Sequence, residues 1–189
     1  MKAQELNNLK NEIGIKAKYG LDFIVAACIV WLGITYIWTL DLTPYNKSII
    51  TFIASGPLLP IAYIFSKIFN TTWKIKDNPL QPLGLWLNFA QLFYFPFLIL
   101  ILIVAPDYFV ISLAIITGAH LFPYAWFYNQ EVYAIIAGII PIGSLLIGIK
   151  VEPEMMCFVP LFTAVCFLIL AITLYMGCKT CMARNTINQ

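Results

Sequence analysis

The sequence predicts an all-α membrane protein, a polytopic bundle of six transmembrane helices. Of its 189 residues, 61% are hydrophobic and 11% are charged, whereas an ordinary soluble domain is about half apolar and about a quarter charged. Six segments reach the length of about 20 apolar residues that a helix needs to cross a hydrocarbon core. They are residues 21–40, 48–69, 84–105, 108–128, 132–149 and 155–177. The apolar runs are continuous rather than alternating, which excludes a transmembrane β-barrel.

The same composition excludes several classes of protein. No polar stretch is long enough for a sizeable soluble domain, a disordered region or a nucleic-acid-binding module. We therefore divide the chain into a leader over residues 1–20, a transmembrane domain over residues 21–177 and a short tail over residues 178–189.

The basic residues predict the orientation of the bundle, because lysine and arginine concentrate in cytoplasmic loops. With a cytoplasmic N-terminus, only Lys47 and Lys150 would lie outside. Nine basic residues would then lie inside: Lys2, Lys10, Lys16, Lys18, Lys67, Lys74, Lys76, Lys179 and Arg184. We therefore expect both termini, and so the leader and the tail, to be cytoplasmic.

Two segments leave alternatives open. In the leader, Leu6, Leu9 and Ile13 have helical spacing, which indicates an amphipathic helix on the inner membrane surface. A flexible basic leader that only sets the topology is the alternative. In the fifth span, Pro141 and the glycines around it weaken the helix signal, so a re-entrant or broken segment competes there with a continuous helix.

The cysteines do not predict a cofactor or a metal. Cys178 and Cys181 form a C-x-x-C pair just after the sixth span. That pair follows a helix C-terminus, whereas a reactive dithiol needs a helix N-terminus to lower a thiol pKa. Neither a second pair nor a histidine stands nearby to complete a zinc site. Reversible acylation, or no role, is the expectation for this pair, and we expect no cofactor, no metal and no catalytic residue.

The candidate ligand-binding or proton-linked residues are His120, Asn88, Gln91 and Tyr124. His120 is the only histidine in the sequence and lies within the fourth span, where an ionisable side chain is costly and normally faces the bundle interior. With the expected topology, all four side chains fall in the inner half of the membrane, and the outer halves are almost purely apolar. The four residues would line a cytoplasm-facing polar cavity, or they would join helices by hydrogen bonds.

Three stretches of the sequence resemble a family. They are Ser55-Gly-Pro-Leu-Leu-Pro60 with the residues that follow, Asn88-Phe-Ala-Gln-Leu-Phe-Tyr-Phe-Pro96, and Gly118-Ala-His-Leu-Phe-Pro-Tyr-Ala-Trp126. Together they look like a group of small, uncharacterised bacterial multi-pass membrane proteins of unknown function. The resemblance implies a multi-pass protein of the bacterial plasma membrane, and it transfers no site residue.

Three functions are compatible with these features. The first is a small transporter or channel-like protein with a polar cavity around His120 and a neutral or amphipathic substrate. The second is a non-catalytic partner, such as an assembly factor, a sensor or an immunity-type protein. The third is an intramembrane enzyme, which is disfavoured because no G-x-S-x-G surrounds Ser55 and no paired carboxylates lie at depth. The expected partners are the lipid bilayer and either a second copy of the chain or another membrane protein, without nucleic acid.

Overall fold

The computed structural model describes the backbone of residues 3–187 and the side chains of residues 3–179. This part of the chain is helical and contains no strand. We number its α-helices in chain order: α1 Ala3–Lys16, α2 Leu21–Thr39, α3 Pro44–Ser55, α4 Leu58–Phe69, α5 Gln81–Ala90, α6 Phe95–Val104, α7 Phe109–His120, α8 Phe122–Tyr128, α9 Glu131–Gly148 and α10 Phe158–Ile187.

The prediction of six membrane-spanning helices is confirmed. Six helical segments are long and apolar enough to cross a bilayer. We call them spans 1 to 6, in order: Lys18–Thr39, Pro44–Phe69, Gln81–Val104, Pro106–Tyr128, Glu131–Gly148 and Pro153–Lys179. Each predicted segment falls on one of these spans, with boundaries that differ by a few residues.

Prolines interrupt three of the spans, because each proline removes a backbone donor and its ring crowds the preceding turn. Span 2 divides at Pro57 into α3 and α4. Span 3 passes through a 3₁₀ turn at Gln91–Tyr94 before α6, and span 4 divides at Leu121 into α7 and α8. Span 5 differs, since Pro141 lies inside the continuous helix α9. The re-entrant alternative for span 5 is therefore not observed.

Span 1 is central and span 3 is peripheral. Helix α2 packs against α10 and α4, while α7 and α10 both pack against α9. As a result, 61% of the apolar stretch of span 1 is buried, against 6% of that of span 3. Span 3 therefore presents most of its surface to lipid, and few contacts hold it to the bundle.

Helix α1 packs on one end of the bundle, which we call the α1 end. Ile13 is buried, and the ammonium of Lys10 lies 4.2 Å from the ring centroid of Trp126 in α8, a cation–π contact. Asn78, in the loop between spans 2 and 3, donates hydrogen bonds to the carbonyl of Leu9 at 2.9 Å and to Glu12 at 2.8 Å. Helix α1 is thus attached both to the loop and to the bundle.

Glu12 contributes to this attachment as a carboxylate. The hydrogen bond from the Lys16 ammonium, followed by that from Asn78, lowers the pKa of Glu12 below its usual value. A carboxyl group with a depressed pKa stabilises the fold above its unfolded pKa, and the contribution is lost as the pH falls through the folded value. The Glu12 contacts therefore hold at neutral pH and weaken in acid.

Glycines allow α7 and α9 to pack closely. A Cβ atom built on Gly118 would lie 2.6 Å from the Cδ of Pro141 and 2.7 Å from the Cβ of Ile140. One built on Gly148 would lie 2.3 Å from the Cδ1 of Ile111. Small residues at such positions let transmembrane helices approach one another. Gly138 on the same helix differs, because a Cβ there would meet nothing within 4 Å.

Gly118→Ala should therefore destabilise the bundle and Gly138→Ala should not. The added methyl group at Gly118 forces α7 and α9 apart, at a cost of about 1–3 kcal/mol for overpacking. At Gly138 the substitution only improves helix propensity, by up to about 1 kcal/mol. Unfolding in SDS, followed by circular dichroism, measures both. Equal stability of the two variants would contradict the close packing of α7 on α9.

Candidate functional site

A cavity of about 100 Å³ lies inside the bundle, on the side of the α1 end. All six spans contribute to its wall. The lining residues are Gly20, Phe23, Ile24, Ala27, Leu58, Asn88, Gln91, Thr117, His120, Leu121, Tyr124, Tyr128, Tyr133 and Phe167. The structure thus brings the four candidate residues, which lie on two different spans, to the wall of one cavity.

The break in span 4 positions His120 and Tyr124. Helix α7 ends at His120, and α8 begins at Phe122 with Pro123 in its first turn, a position that proline tolerates. The His120 and Tyr124 rings then meet edge to face, with centroids 5.5 Å apart. The two side chains are therefore neighbours on one wall of the cavity.

Tyr124 also connects span 4 to span 3. Its hydroxyl donates a hydrogen bond of 3.0 Å to the Oδ1 of Asn88, and the amide of Asn88 donates to the Gly84 carbonyl one turn earlier at 3.1 Å. Phe127 packs against Gly84, where an added Cβ would lie 2.8 Å from the ring. These contacts attach α5 to α8, so Asn88 joins two helices by a hydrogen bond. It also lines the cavity, so the two roles that the sequence left open for the polar residues are combined in Asn88.

The remaining polar groups of the wall have hydrogen-bonding capacity to spare. Throughout the described side chains, every fully buried nitrogen and oxygen has a hydrogen-bond partner. Four lining side chains make no hydrogen bond within the same part of the chain: Gln91, Thr117, His120 and Tyr128. An unpaired polar group in a hydrocarbon environment costs several kcal/mol. The cavity wall is therefore suited to a hydrogen-bonding guest.

Tyrosines close the cavity toward the α1 end. The Tyr133 hydroxyl donates a hydrogen bond of 2.6 Å to the backbone carbonyl of Tyr19, and the Tyr128 ring stacks on Tyr124 with centroids 5.9 Å apart. Gly20 lies against this cluster with φ of +75°, and a Cβ there would lie 3.1 Å from the Tyr128 hydroxyl. Only glycine combines this left-handed backbone with so close an approach. We call Tyr19, Gly20, Tyr128 and Tyr133 the floor of the cavity.

The sequence did not point to Tyr19, Gly20 or Tyr133 as part of the site, and it did not predict the role of Asp22. Asp22 is 1% exposed, and its carboxylate is the centre of a hydrogen-bond network. It accepts hydrogen bonds from the Thr71 hydroxyl at 2.7 Å, the Trp73 indole at 2.6 Å and the backbone amide of Phe23 at 3.0 Å. The first turn of a helix favours a negative charge, and Asp22 occupies the first turn of α2. The available signal was the acidic residue at the start of an otherwise apolar span.

A second, larger depression lies on the lipid-facing surface of α9 and α10. Its volume is about 400 Å³, and its lining is apolar: Ile135, Gly138, Ile139, Ile142, Gly143 and Phe162. No side chain in this lining can hydrogen-bond a ligand, so the depression offers no polar group for selectivity. The cavity around His120 is therefore the candidate site.

The cysteine pair is not part of this site. Cys178 is buried near the end of span 6, and Cys181 lies outside the residues whose side chains are described. Among the described residues, no group of three or more histidines, cysteines and carboxylates lies close enough to hold a metal ion. The expectations for acylation, metals and cofactors stay predictions.

The fold and the polar wall define a small multi-pass helical membrane protein with a hydrogen-bonding cavity in its bundle. The chain belongs to a family of unknown function, DUF7010, whose model matches residues 6–177. This match and the six apolar helices confirm the resemblance to an uncharacterised family of membrane proteins. No curated protein and no solved structure matches the chain.

Asp22→Ala should destabilise the protein, because it leaves the Thr71 and Trp73 donors without their acceptor. An unpaired buried donor costs about 1–3 kcal/mol, so we expect a loss of about 2–4 kcal/mol. Asp41→Ala, which removes an exposed carboxylate at the other end of span 1, is the matched control and should change stability by less than about 0.5 kcal/mol. SDS unfolding measures both. Wild-type stability of the Asp22 variant would show that the carboxylate does not anchor the loop.

Proposed function

We propose that this protein is a small transporter or channel-like protein, with the cavity around His120 as its substrate site. One observation carries the proposal. Four polar side chains that make no hydrogen bond within the described part of the chain, Gln91, Thr117, His120 and Tyr128, line a cavity to which all six spans contribute. Polar side chains that only joined helices would be paired with each other. Here Asn88 and Tyr124 are paired with each other and Tyr133 with the Tyr19 carbonyl, and the other polar side chains of the wall are left for a ligand or for water.

The chemistry of the wall favours a neutral substrate. No lysine, arginine, aspartate or glutamate belongs to the lining, so the wall offers a strongly charged substrate no charged side chain to pair with. The amide of Gln91 and the hydroxyls of Thr117 and Tyr128 can both donate and accept hydrogen bonds. His120 is the one lining residue whose charge normally changes near neutral pH, so proton coupling would depend on it.

Span 3 supports a conformational change. Its few contacts with the bundle include the Tyr124–Asn88 hydrogen bond and the packing of Phe127 on Gly84. When water or a ligand satisfies both groups after separation, the net loss of a neutral hydrogen bond is only about 1 kcal/mol. Movement of span 3 away from α8 would then widen the cavity, as alternating access requires.

The same geometry makes an enzymatic role the weaker proposal. An intramembrane hydrolase would place a nucleophile beside His120, and neither Ser55 nor Ser112 belongs to the cavity lining. The Ser55 hydroxyl instead donates to the carbonyl of Phe52, in its own helix, at 2.7 Å. We therefore propose a non-enzymatic function.

The alternative function is a non-catalytic partner protein. It is favoured by the exposed surface of span 3 and by the apolar depression on α9 and α10, which together offer large surfaces to another membrane protein or to a second copy.

For the location and orientation, we propose a bacterial plasma membrane with both termini in the cytoplasm. The family resemblance supports the former, and the distribution of lysine and arginine supports the latter.

Transport can be measured in proteoliposomes that contain the purified protein. We expect uptake of small neutral solutes, for which glycerol and urea are the test substrates. A proton-sensitive dye inside the vesicles reports whether protons move with them. Gln91→Leu and His120→Ala should reduce the flux, because each removes a hydrogen-bonding group from the wall. Ser55→Ala, a polar residue of span 2 outside the lining, should keep wild-type flux. The proposal fails if the wild type and both cavity variants all match vesicles without protein.

A further inference from the structure

The cavity wall has a buried part and an open part. The floor and Phe167 are buried. Partial exposure is confined to Phe23, Leu58, Gln91, Thr117 and His120, and Asn88 is the most open of the lining residues. Phe23 belongs to span 1, Leu58 to span 2, and Thr117 and His120 to span 4, while Gln91 and the most open residue, Asn88, belong to span 3. Exposure thus places the opening beside span 3, and the packing of the helices locates it on the side of span 2.

This opening is inside the membrane rather than at its surface. At a rise of about 1.5 Å per residue, Asn88 lies about 11 Å, and Leu58 about 17 Å, from the α1 end of its own span. The hydrocarbon core of a bilayer is about 30 Å thick. An opening at these depths faces acyl chains.

Helix packing leaves the route between the two spans accessible. Helix α4 packs on α2, and α5 is joined to α8 through Asn88 and Gly84. Within the described residues, α4 and α5 do not pack extensively against each other. The α1 end offers no comparable route, because the Tyr133–Tyr19 hydrogen bond and the overlying α1 close it.

The size and chemistry of the cavity specify what can use this route. A cavity of about 100 Å³ suits a small polar group rather than a whole amphiphile. The wall supplies neutral donors and acceptors without a charged side chain. The apolar Leu58 and Phe23 at the opening suit a hydrocarbon chain that remains in the lipid.

We propose that the cavity binds the uncharged, hydroxyl- or amide-bearing head of a single-chain amphiphile that arrives sideways from the bilayer, between spans 2 and 3. This proposal deepens the proposed function, on which it rests, by naming the substrate class and its route. Asn88 and Gln91 line the cavity from span 3, beside the opening, and Thr117 and His120 line it from span 4.

A photoreactive monoacylglycerol, with a diazirine in its acyl chain, tests this directly. The protein in lipid nanodiscs is labelled by light, and the labelled peptides are identified by mass spectrometry. We expect labelling on α4 and span 3 near the opening, with competition by unlabelled monoacylglycerol and not by a lysophosphatidic acid of the same chain length, which is charged. Labelling spread evenly over all lipid-facing helices would overturn the proposal.

Two substitutions in span 2 form a matched pair. Leu58→Trp places an indole in the opening and should abolish the competed labelling. Leu59→Trp adds the same group to the adjacent residue, which is 58% exposed and outside the lining, and should leave the labelling unchanged. Gln91→Leu should weaken competition about fivefold, which corresponds to the loss of one neutral hydrogen bond. Equal labelling of Leu58→Trp, Leu59→Trp and the wild type would refute the lateral route.

The outcome also separates this proposal from the proposed transport function. If glycerol flux depends on Gln91 and His120 but is unaffected in Leu58→Trp, and the amphiphile gives no competed labelling, the site stands and the lateral route fails. If the amphiphile labels specifically but no solute crosses, the site binds lipid-phase ligands and the transport function fails. If neither labelling nor flux depends on the cavity residues, both proposals fail.

Discussion

Inside a bilayer, no water satisfies an unpaired polar group, and this constraint organises the whole structure. It makes the backbone helical throughout the spans, and it pairs every fully buried polar side-chain atom in the described part of the chain. Asp22 is an example, because its buried carboxylate accepts hydrogen bonds from two side chains and a backbone amide. The polar groups that the fold leaves unpaired are then informative. Four of them line one cavity.

Composition and hydrophobic run length were enough to predict the helical class and the six spans. These features depend on local physics, namely the length of chain that crosses the hydrocarbon. The continuous helix through Pro141 was harder to predict. Its ring packs where Gly118 lacks a side chain, and that contact joins two spans that the sequence alone does not pair.

The candidate site, too, could be predicted from the sequence only in part. His120, Asn88, Gln91 and Tyr124 could be found because polar residues are conspicuous in apolar spans. Asn88 and Tyr124 are hydrogen-bonded to each other, whereas Gln91 and His120 are not. This difference depends on distances between helices, which the spacing of residues along the sequence does not predict. The floor was missed because Tyr19 and Tyr133 are ordinary residues for a membrane interface. They close the end of the cavity only because they form a hydrogen bond with each other across 114 positions of the chain.

That separation along the chain has a consequence for how the protein is made. Asp22 meets Trp73 only after 51 further residues have been synthesised, and Tyr19 meets Tyr133 after 114. At translation rates of about 5–20 residues per second, these intervals are roughly 3–10 and 6–23 seconds. The first span therefore enters the membrane with its acidic end still hydrated, and the N-terminal helix becomes attached later. Assembly of the bundle thus returns to the N-terminal edge of span 1 long after that span has been made.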